Sequence, residues 1–281
     1  MSDSSSAVRA YGGSNTTAPG HPGRRISFSE IIKENYDMKL ALSETDELRE
    51  QSYRLRYQAY CLENAFEPIS ENPGERETDE YDIQSLHGLL VYRASDLVVG
   101  TARLILPELN GSAIPLPIHK ICATRDLVEA DRQIGDQRVA EISRFAIAKQ
   151  RRRYAEDHAR ASGGTAKAGG PTPRRVIPHI SLGLMQAVVA MARLGEIRYL
   201  FAVMEPGLLR MLQCLGIYFD NLGPPVEYHG TRQPCYCDLD QLLATTWAVR
   251  PEVWEVLTDN GRIWPLQHVS TARPVNATID A

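Results

Sequence analysis

The sequence predicts an α+β fold, built on one central sheet that is mixed, mostly antiparallel and flanked by helices. The patterns along the chain follow the order helix, hairpin, strand, helix, strand, helix, strand. A chain of 281 residues, of which 43% are hydrophobic, is long enough to bury a substantial core. No internal repeat divides it. We therefore expect a single domain.

The first half of the chain predicts two helices, a hairpin and a further strand. The segment "ISFSEIIKENYDMKLA" indicates a short helix that leads into a strand. Ser43 and the acidic residues after it are typical of a helix start, and apolar positions at helical spacing follow. "HGLLVYRAS" and "LVVGTARLILP" predict an antiparallel hairpin that turns at residues 94–96, with Gly100 indicating a bulge or a close backbone approach. "RVAEISRFAIAK" predicts the next strand.

The second half predicts helices that alternate with strands. Residues 150–178 are rich in Gly, Ala, Pro and Arg, and we expect an inserted loop there. The segments that follow predict a helix, a strand, a helix, a strand–loop–strand and a final short helix; they are "HISLGLMQAVVAMARLG", "IRYLFAVM", "EPGLLRMLQCLG", "IYFDNLGPPVEYHGTRQPCYCDLDQLLA" and "RPEVWEVLTDNG". The domain is expected to span residues 26–264, between flexible tails at 1–25 and 265–281.

Composition argues against several classes of protein. With 23% charged residues and a formal net charge of -4, the chain does not have the basic character typical of nucleic-acid binding. It has no apolar run of about 20 residues, so no transmembrane segment is expected. The N-terminus lacks the apolar region of a signal peptide, so we expect a cytoplasmic protein.

The five cysteines favour neither disulfides nor a metal site. Their number is odd and their spacing does not repeat, which favours free thiols. Cys235 and Cys237 are one residue closer than a C-x-x-C zinc hook, and no second pair completes a site. We expect no metal.

Charged residues interrupt two of the predicted strands. Glu141 and Arg144 are three positions apart, so on a regular strand their side chains point to opposite faces. Either one of them faces a cleft or the strand contains a bulge. Arg103 lies in the apolar run "VVGTARLIL", where a guanidinium is costly to bury unless a carboxylate or a ligand pairs with it.

Partners for these charges are found earlier in the chain. Asp79 and Asp82 precede the hairpin, and Arg56 lies one helical turn before Tyr60 on the same helix face. Such residues can form a catalytic site or a structural ion-pair network, and residue types alone leave both interpretations open.

Taken together, these residues form a pattern that resembles a known family. The pattern consists of Arg56-x-x-x-Tyr60, Phe66, Asp79-x-x-Asp82, Gly100 with Arg103, and Glu141-x-x-Arg144. It is similar to the acyl-homoserine lactone synthases, a branch of the GNAT-type N-acyltransferases. Still closer is the resemblance to the PEP-CTERM/exosortase system-associated acyltransferases, relatives of the N-acyl amino acid synthases. It covers about Tyr53 to Gly261 and is carried by "YRLRYQAYCLENAFEP", "ETDEYD", "EISRFAIAK", "MEPGLLRMLQCLGI", "GPPVEYHGTRQPCY" and "RPEVWEVLTDNG".

The resemblance implies a single GNAT-like domain that transfers a fatty acyl group from a thioester to the amine of an amino acid or related small molecule. Two departures bear on the substrates. Tyr60 and Phe66 stand where the lactone synthases favour Phe and Trp, which leaves the acceptor open. The glycine-rich phosphate-binding loop of acetyl-CoA-dependent relatives is missing after the "EISRFAIAK" strand, which favours an acyl carrier protein as donor, with long-chain acyl-CoA as the alternative. The thioester is a co-substrate, and no bound cofactor is implied.

The resemblance also implies roles for residues. Glu141 is the expected general base, acting directly or through a water. Arg103 and Arg144 are expected to anchor the acceptor's carboxylate or to hold Glu141 and the aspartates in place. The expected substrate-binding residues are Arg56, Tyr60, Phe66, Asp79 and Asp82, with the aspartates attracting the acceptor's ammonium and pairing with Arg56.

Three further sets complete the predicted site. Backbone N–H groups of Thr101, Ala102, Arg103 and Leu104 are expected to bind the oxyanion, next to a bulge at Gly100. An acyl tunnel is expected along Leu184, Met185, Val188, Val203 and Met204, for which ordinary core packing is the alternative. A basic patch is expected to dock the acidic carrier protein, with a solvated loop as the alternative; its residues are Lys149, Arg151, Arg152, Arg153, Arg174 and Arg175.

Other functions remain open at this stage. One is an acyl-homoserine lactone synthase that uses S-adenosylmethionine, and another is a catalytically silent module that binds an acylated partner. A serine hydrolase is disfavoured because Ser143 has no G-x-S-x-G elbow. A pair formed by His229 and Cys235 is a weak alternative because no third group orients it. We expect "EYHGTRQPCY" instead to form a strand and turn that close the sheet near the acceptor pocket.

Overall fold

The protein is described here from a computed structural model that covers residues 28–42, 47–109, 111, 113–135, 138–161 and 173–265. The tail predicted at 1–25, the predicted cap Ser43 and nearly all of the C-terminal tail lie outside these residues. Within them, no helix is long and apolar enough to span a membrane.

The first half of the described chain contains four strands and four helices. They are α1 (Phe28–Asn35), β1 (Tyr36–Ala41), α2 (Glu47–Tyr57), β2 (Ser85–Tyr92), β3 (Leu97–Ile105), α3 (Ile118–Ile121), α4 (Arg125–Ile134) and β4 (Val139–Ile147). A π-helical turn, Gln58–Glu63, extends α2, and a 3₁₀ turn, Glu80–Gln84, leads into β2. The hairpin and the strand predicted after it are confirmed.

The second half contains four more strands and five helices. They are α5 (Lys149–Ala161), α6 (Pro173–Leu194), β5 (Tyr199–Met204), α7 (Pro206–Cys214), β6 (Asp220–Asn221), β7 (Val226–Glu227), β8 (Thr231–Asp238), α8 (Leu239–Val249) and α9 (Pro251–Leu257). The strand order is β1-β2-β3-β4-β5-β8-β6, with β7 also paired to β8. Only the β4–β5 pair is parallel among the described strands, so the sheet is mixed and mostly antiparallel, as predicted.

Helices α2 and α6 pack on opposite faces of the sheet. Leu89 on β2 belongs to a buried cluster that contains Leu55 of α2. Its neighbour Gly88 faces α6, where an added Cβ would lie 2.6 Å from the Cβ of Ala187. Successive residues of a strand point to opposite faces, so α2 packs against one face of β2 and α6 against the other. The glycine is needed because α6 approaches the strand so closely.

The parallel strands β4 and β5 separate partway along their length. They pair from Val139 and Tyr199 to Ile142 and Ala202, whereas β4 continues to Ile147 and β5 to Met204. Beyond the last pair, the backbones and side chains of both strands border an opening in the sheet.

Two expectations about secondary structure are wrong. The loop expected at 150–178 is helical over Lys149–Ala161 and from Pro173 onward, and residues 162–172 lie outside the described part. Its Lys, Arg, Gln, Glu and Ala residues favour helix, and Pro173 occupies the first helical position, where a missing N–H costs little. The second wrong expectation is the strand assigned to "DLDQLLA": Asp238 caps α8 by accepting a hydrogen bond from the Asp240 N–H at 3.0 Å. No element was predicted for α3 and α4, although Thr124 caps α4 by accepting a hydrogen bond from the Leu127 N–H at 3.2 Å.

Candidate active site

A bulge in β4 brings Glu141 and Arg144 to the same face of the sheet. Thr101 pairs with Ala146 and Arg103 with Ser143, so two residues of β4 oppose the single residue between them on β3. Arg144 has a φ of 48°, in the left-handed region. The extra residue shifts the alternation by one position. The bulge therefore explains how Glu141 and Arg144, three positions apart on one strand, can point to the same face of the sheet.

The Asp79-x-x-Asp82 motif is a capping box. Asp79 precedes the 3₁₀ turn, and its carboxylate accepts a hydrogen bond from the Tyr81 N–H at 2.9 Å. The Asp79 N–H donates to the Asp82 carboxylate at 2.8 Å. The reciprocal bonds satisfy backbone donors at the start of the turn. They also aim both carboxylates at the same face of the sheet.

Six side chains join into what we call the buried ion network: Arg56, Glu77, Asp79, Asp82, Arg103 and Arg144. Arg56 is fully buried and donates to Glu77 at 2.5 Å and to both oxygens of Asp82 at 2.7 and 3.1 Å. Three guanidinium groups face three carboxylates. The network therefore carries no net charge, which makes its burial tolerable.

The other two arginines connect this network to the bulge. Arg103 donates to both oxygens of Asp79 at 2.5 and 2.9 Å, to Asp82 at 2.8 Å and to the Ser143 hydroxyl at 2.9 Å. Arg144 donates to Glu77 at 2.8 Å, and its Nη2 lies 3.1 Å from Asp79. The backbone at the bulge is thus held by ion pairs on the side of α2.

Ion pairing controls the ionisation of the network carboxylates. Burial alone would raise the pKa of Glu77, but Arg56 and Arg144 outweigh burial and hold the pKa at about 2. The pKa of Asp82 is also far below its ordinary value, because Arg56 and Arg103 outweigh the effect of burial. Both carboxylates are therefore ionised at neutral pH.

Glu141 differs from the network carboxylates because it lacks a paired cation. Its side chain is buried, and Oε2 accepts a hydrogen bond from the Ile118 N–H at 2.8 Å. Burial raises the pKa of Glu141 to about 8, although the Ile118 N–H and the charge of Arg103 act in the opposite direction. A carboxyl group with this pKa exchanges protons near neutral pH.

A pocket of about 330 Å³ opens where β4 and β5 separate. Glu141 and the bulge residues form one wall, and Val203, Met204 and Leu208 form an apolar one. Aromatic rings border the pocket in a row: the ring centroids of Tyr60 and Phe66 are 6.2 Å apart, those of Phe66 and His229 6.1 Å, and those of His229 and Tyr228 4.6 Å. The pocket is therefore polar at the bulge and apolar or aromatic elsewhere.

The predicted catalytic and substrate-binding residues divide into two groups. Glu141, Arg103, Arg144, Tyr60, Phe66 and Asp79 line the pocket. Arg56 and Asp82, predicted to bind substrate, instead lie behind the pocket wall, because they pair with each other in the network. We expected Asp79 to pair with Arg56, but it pairs with Arg103 and Arg144 instead.

The structure moves the candidate oxyanion donor to another strand. The predicted donors, Thr101 to Leu104, lie on β3 between two hydrogen-bonded neighbours, and of these only Arg103 lines the pocket. The irregularity near Gly100 is real, but it faces β2. The bulge that borders the pocket is on β4, where an unpaired residue leaves a backbone group available.

The predicted tunnel residues also separate. Val203 and Met204 line the pocket, whereas Leu184, Met185 and Val188 are fully buried in the core on α6. The reason is that α6 packs across β1 to β4, where its apolar side fills the interior.

The predicted docking residues lie on helices. Lys149 lines the pocket, Arg151 donates to the Val98 carbonyl at 3.2 Å, and Arg152 lies 3.5 Å from Glu156. Arg153 is exposed. Arg174 and Arg175 lie within α6, and their side chains fall outside the described part.

Two features of the site were not predicted. Glu77, which lies in "ERETDEYD", is the third network carboxylate, and the only signal for it was that Arg56, Arg103 and Arg144 need three negative charges to balance them. The carboxylate of Glu63 accepts hydrogen bonds from the N–H groups of Lys149 and Gln150 at 2.8 and 3.0 Å, so it caps α5. The turn between β7 and β8, in the segment expected to close the sheet near the acceptor pocket, brings His229 and Arg232 to the pocket.

The residues of the alternative Cys–His site are not brought together in the structure. Cys235 is fully buried in β8, where its thiol contacts the Ala202 carbonyl, while Nε2 of His229 lies 3.6 Å from Glu67. They form no pair. Among the described residues, no group of three or more His, Cys, Asp and Glu side chains could hold a metal ion.

Comparison with known proteins agrees with this fold. Residues 55–158 match the acetyltransferase (GNAT) domain. No curated protein sequence matches the chain. The crystal structure of TofI in a ternary complex with an inhibitor and MTA is 19% identical, covers 78% of this chain and 99% of its own, and superposes with a TM-score of 0.51. The likeness to TofI shows the fold.

Two other solved structures are similar at lower TM-scores. The AHL synthase LasI is 18% identical, with 77% of this chain and 95% of its own covered and a TM-score of 0.49. FeeM, an N-acyl amino acid synthase from uncultured soil microbes, is 16% identical, with 76% and 97% covered and a TM-score of 0.46. The chain has a GNAT-like fold, and the matched domain supports an N-acyltransferase.

Proposed function

We propose that the protein transfers a fatty acyl group from a carrier-protein thioester to the amine of an amino acid or a related small molecule. One observation carries the proposal. Glu141, a buried carboxyl group without a paired cation, lines a pocket that opens beside a backbone bulge between two separating strands. This combination offers a proton acceptor and a backbone donor in one small space.

Glu141 acts as the general base of this reaction. An amine is mostly protonated at neutral pH and must lose a proton before its lone pair can attack a carbonyl carbon. Burial raises the pKa of Glu141 to about 8, which brings its proton affinity close to that of an amine. The Ile118 N–H holds one carboxylate oxygen, so the other is oriented to receive the proton.

The bulge in β4 stabilises the tetrahedral intermediate. The amine nitrogen bonds to the thioester carbon while the carbonyl electrons move to oxygen. A backbone N–H freed from pairing near Arg144 and Phe145 donates to that oxyanion. As the oxyanion collapses, the C–S bond breaks and the thiolate takes a proton, so an amide and a free carrier thiol are formed.

The start of α5 supports a carrier protein as donor in preference to a coenzyme A thioester. A helix N-terminus is a ready site for phosphate, because its first N–H groups lack partners. Here the carboxylate of Glu63 already accepts from the N–H groups of Lys149 and Gln150. A phosphate would have to displace this negative charge.

The exposed face of α5 is where the carrier protein docks. Arg153 is exposed, and Lys149 connects this face to the pocket. Acidic carrier proteins are drawn to local positive charge even on a protein whose net charge is -4.

We therefore expect Arg153→Glu to raise the KM for an acyl carrier protein by about 2- to 5-fold, as one exposed charge pair allows. The KM for a small acyl thioester should not change. Arg132→Glu, a reversal at an exposed arginine on α4, serves as the control. Steady-state kinetics with both donors test the prediction, and equal changes with the two donors would contradict docking at α5.

Mass spectrometry tests the function itself. Lipid extracts from cells that overexpress the protein should contain a new N-acyl amino acid, which is missing when Glu141→Gln is expressed at the same level. The product identifies acceptor and chain length together. If neither strain contained a new species, and purified protein with acyl thioesters and amines gave none, the proposed function would be wrong.

Two other functions remain to be separated from this one. An acyl-homoserine lactone synthase would consume S-adenosylmethionine, and a silent acyl-binding module would turn over nothing. Glu141, Arg103 and Arg144 line one pocket together, which argues against the silent module, since binding an acyl chain does not require charged side chains in the pocket. The association with a PEP-CTERM/exosortase system stays a prediction from the sequence.

A further inference from the structure

Four cations line the pocket, and they differ in their partners. Arg103 and Arg144 are paired with Asp79 and Glu77 in the buried ion network. They were expected either to anchor the acceptor's carboxylate or to hold Glu141 and the aspartates in place, and protein carboxylates already occupy both guanidinium groups. The other two cations, Lys149 and Arg232, form no ion pair with a carboxylate of the described residues.

Lys149 and Arg232 lie on different walls. Nζ of Lys149 donates to the Asn64 side-chain oxygen at 2.7 Å, and the residue begins α5, which carries the docking face. Arg232 is near the start of β8, next to the turn that holds His229. The two cations are therefore available for different parts of the substrates.

The guanidinium of Arg232 is held in place by contacts that leave most of its N–H donors available to a ligand. It lies over the ring of Phe66, 5.5 Å from the ring centroid, and Nη1 donates to the Thr231 carbonyl at 3.1 Å. Its other nitrogens have no hydrogen-bond partner among the described residues. An arginine stacked on an aromatic ring keeps its planar edge oriented for bidentate binding of a carboxylate.

The turn before β8 fixes this geometry. The Tyr228 N–H donates to the Gly230 carbonyl at 2.9 Å, and His229 and Gly230 both have positive φ. Glu67 lies 3.6 Å from both His229 and Arg144, so contacts run from the turn to the bulge. Arg232 and the reacting groups thus belong to one continuous pocket.

We propose that Arg232 binds the carboxylate of the acceptor, and that the acceptor is therefore an amino acid and not an amine without a carboxylate. The inference rests on the proposed function and adds the substrate class and the residue that selects it. The guanidinium supplies two parallel donors to the carboxylate, while the amine of the same molecule points towards Glu141. A carboxylate-free amine would leave this guanidinium without its partner.

Kinetics with matched acceptors test the proposal. The pair consists of an L-amino acid and the primary amine that it gives on decarboxylation, with the same acyl carrier protein thioester as donor. Wild-type protein should prefer the amino acid by about 10- to 100-fold in kcat/KM, as expected for one charge-assisted pair. Arg232→Gln should remove the preference by raising the KM for the amino acid, with little effect on the amine. Arg232→Lys should restore part of it.

Arg198→Gln is the matched control, because Arg198 pairs with Asp238 at the opposite end of β8. Two outcomes would overturn the proposal: a raised KM for the donor with the acceptor preference intact, which would assign Arg232 to the donor's phosphate, or an equal loss with both acceptors, which would indicate a structural role.

A binding measurement separates this proposal from the proposed function. Ligand-observed NMR with the same amino acid and amine does not require turnover. Carboxylate-dependent binding that Arg232→Gln abolishes supports the site even if wild-type protein forms no product, a result that would contradict only the N-acyltransferase. Turnover without carboxylate preference, or no difference in binding, overturns the Arg232 site and leaves the N-acyltransferase standing.

Discussion

Glu141→Gln is expected to lower kcat by about 10²- to 10⁴-fold, the usual range for loss of a general base. Glutamine keeps the size of the side chain and still accepts the hydrogen bond from the Ile118 N–H, but it cannot take a proton. The KM values should change little, because the carboxylate acts on the amine proton and not on the acyl chain. Single-turnover and steady-state rates measure the effect.

The pH dependence gives a second readout of the same residue. Burial raises the pKa of Glu141 to about 8, so at neutral pH most molecules carry the protonated form, which is inactive as a base. Wild-type kcat should rise with pH and level off above about pH 8. The residual activity of Glu141→Gln should lack this rise, apart from the ionisation of the amine itself. Turnover at the wild-type level would leave Glu141 a structural acid that holds α3.

Stability should depend on pH through the same group. A carboxyl group whose folded pKa lies above its unfolded value binds its proton more tightly in the native state, so it favours folding at low pH. Between about pH 4.5 and 8 the contribution of Glu141 to the free energy of unfolding falls, at up to about 1.4 kcal/mol per pH unit. Glu141→Gln should therefore be more stable than wild type at pH 9 and similar at pH 4. Urea unfolding measures this, with the exposed Glu71→Gln as a control.

Most of the fold could be predicted from local patterns in the sequence. The hairpin β2–β3 and the strand β4 were predictable, because their alternation and turn residues act over short distances. The helix α5 was missed because Gly, Pro and Arg residues in its neighbourhood resembled a loop, while its own residues favour helix. The segment before β4 gave no pattern, although Thr124 offered a capping signal for α4.

The candidate site was partly predictable for a different reason. Buried charges must find partners, so Arg56, Arg103 and the aspartates indicated a network before any geometry was known. The exact pairing depended on contacts between residues far apart in sequence, which is why Glu77 was overlooked. The segment that contains Arg232 was expected near the acceptor pocket, but the residue itself was not singled out, since its environment comes from a turn that folds against Phe66.

Asp82→Asn is expected to destabilise the protein by about 3–5 kcal/mol, the cost of breaking a buried ion pair from one side. Asp82 accepts hydrogen bonds from both Arg56 and Arg103, and both guanidinium groups are buried. With the charge removed, the network holds three cations and two anions, and the two guanidinium groups that lose a partner are fully buried. The midpoint of urea unfolding should fall while the slope stays constant.

The matched control is Asp37→Asn, which breaks an exposed pair with Arg93, the first residue after the neighbouring strand β2. That change should cost less than about 1 kcal/mol, because solvent screens the pair. Acid provides an independent check: Arg56 and Arg144 hold the pKa of Glu77 at about 2, so its contribution is present above about pH 4.5 and is lost as the pH falls towards 2. The Asn variant should lose less stability over this interval than wild type, because Asp82, whose pKa is also depressed, no longer titrates. Equal costs for Asp82→Asn and Asp37→Asn would mean that water reaches the network, and the bulge that positions Arg144 would then need another support.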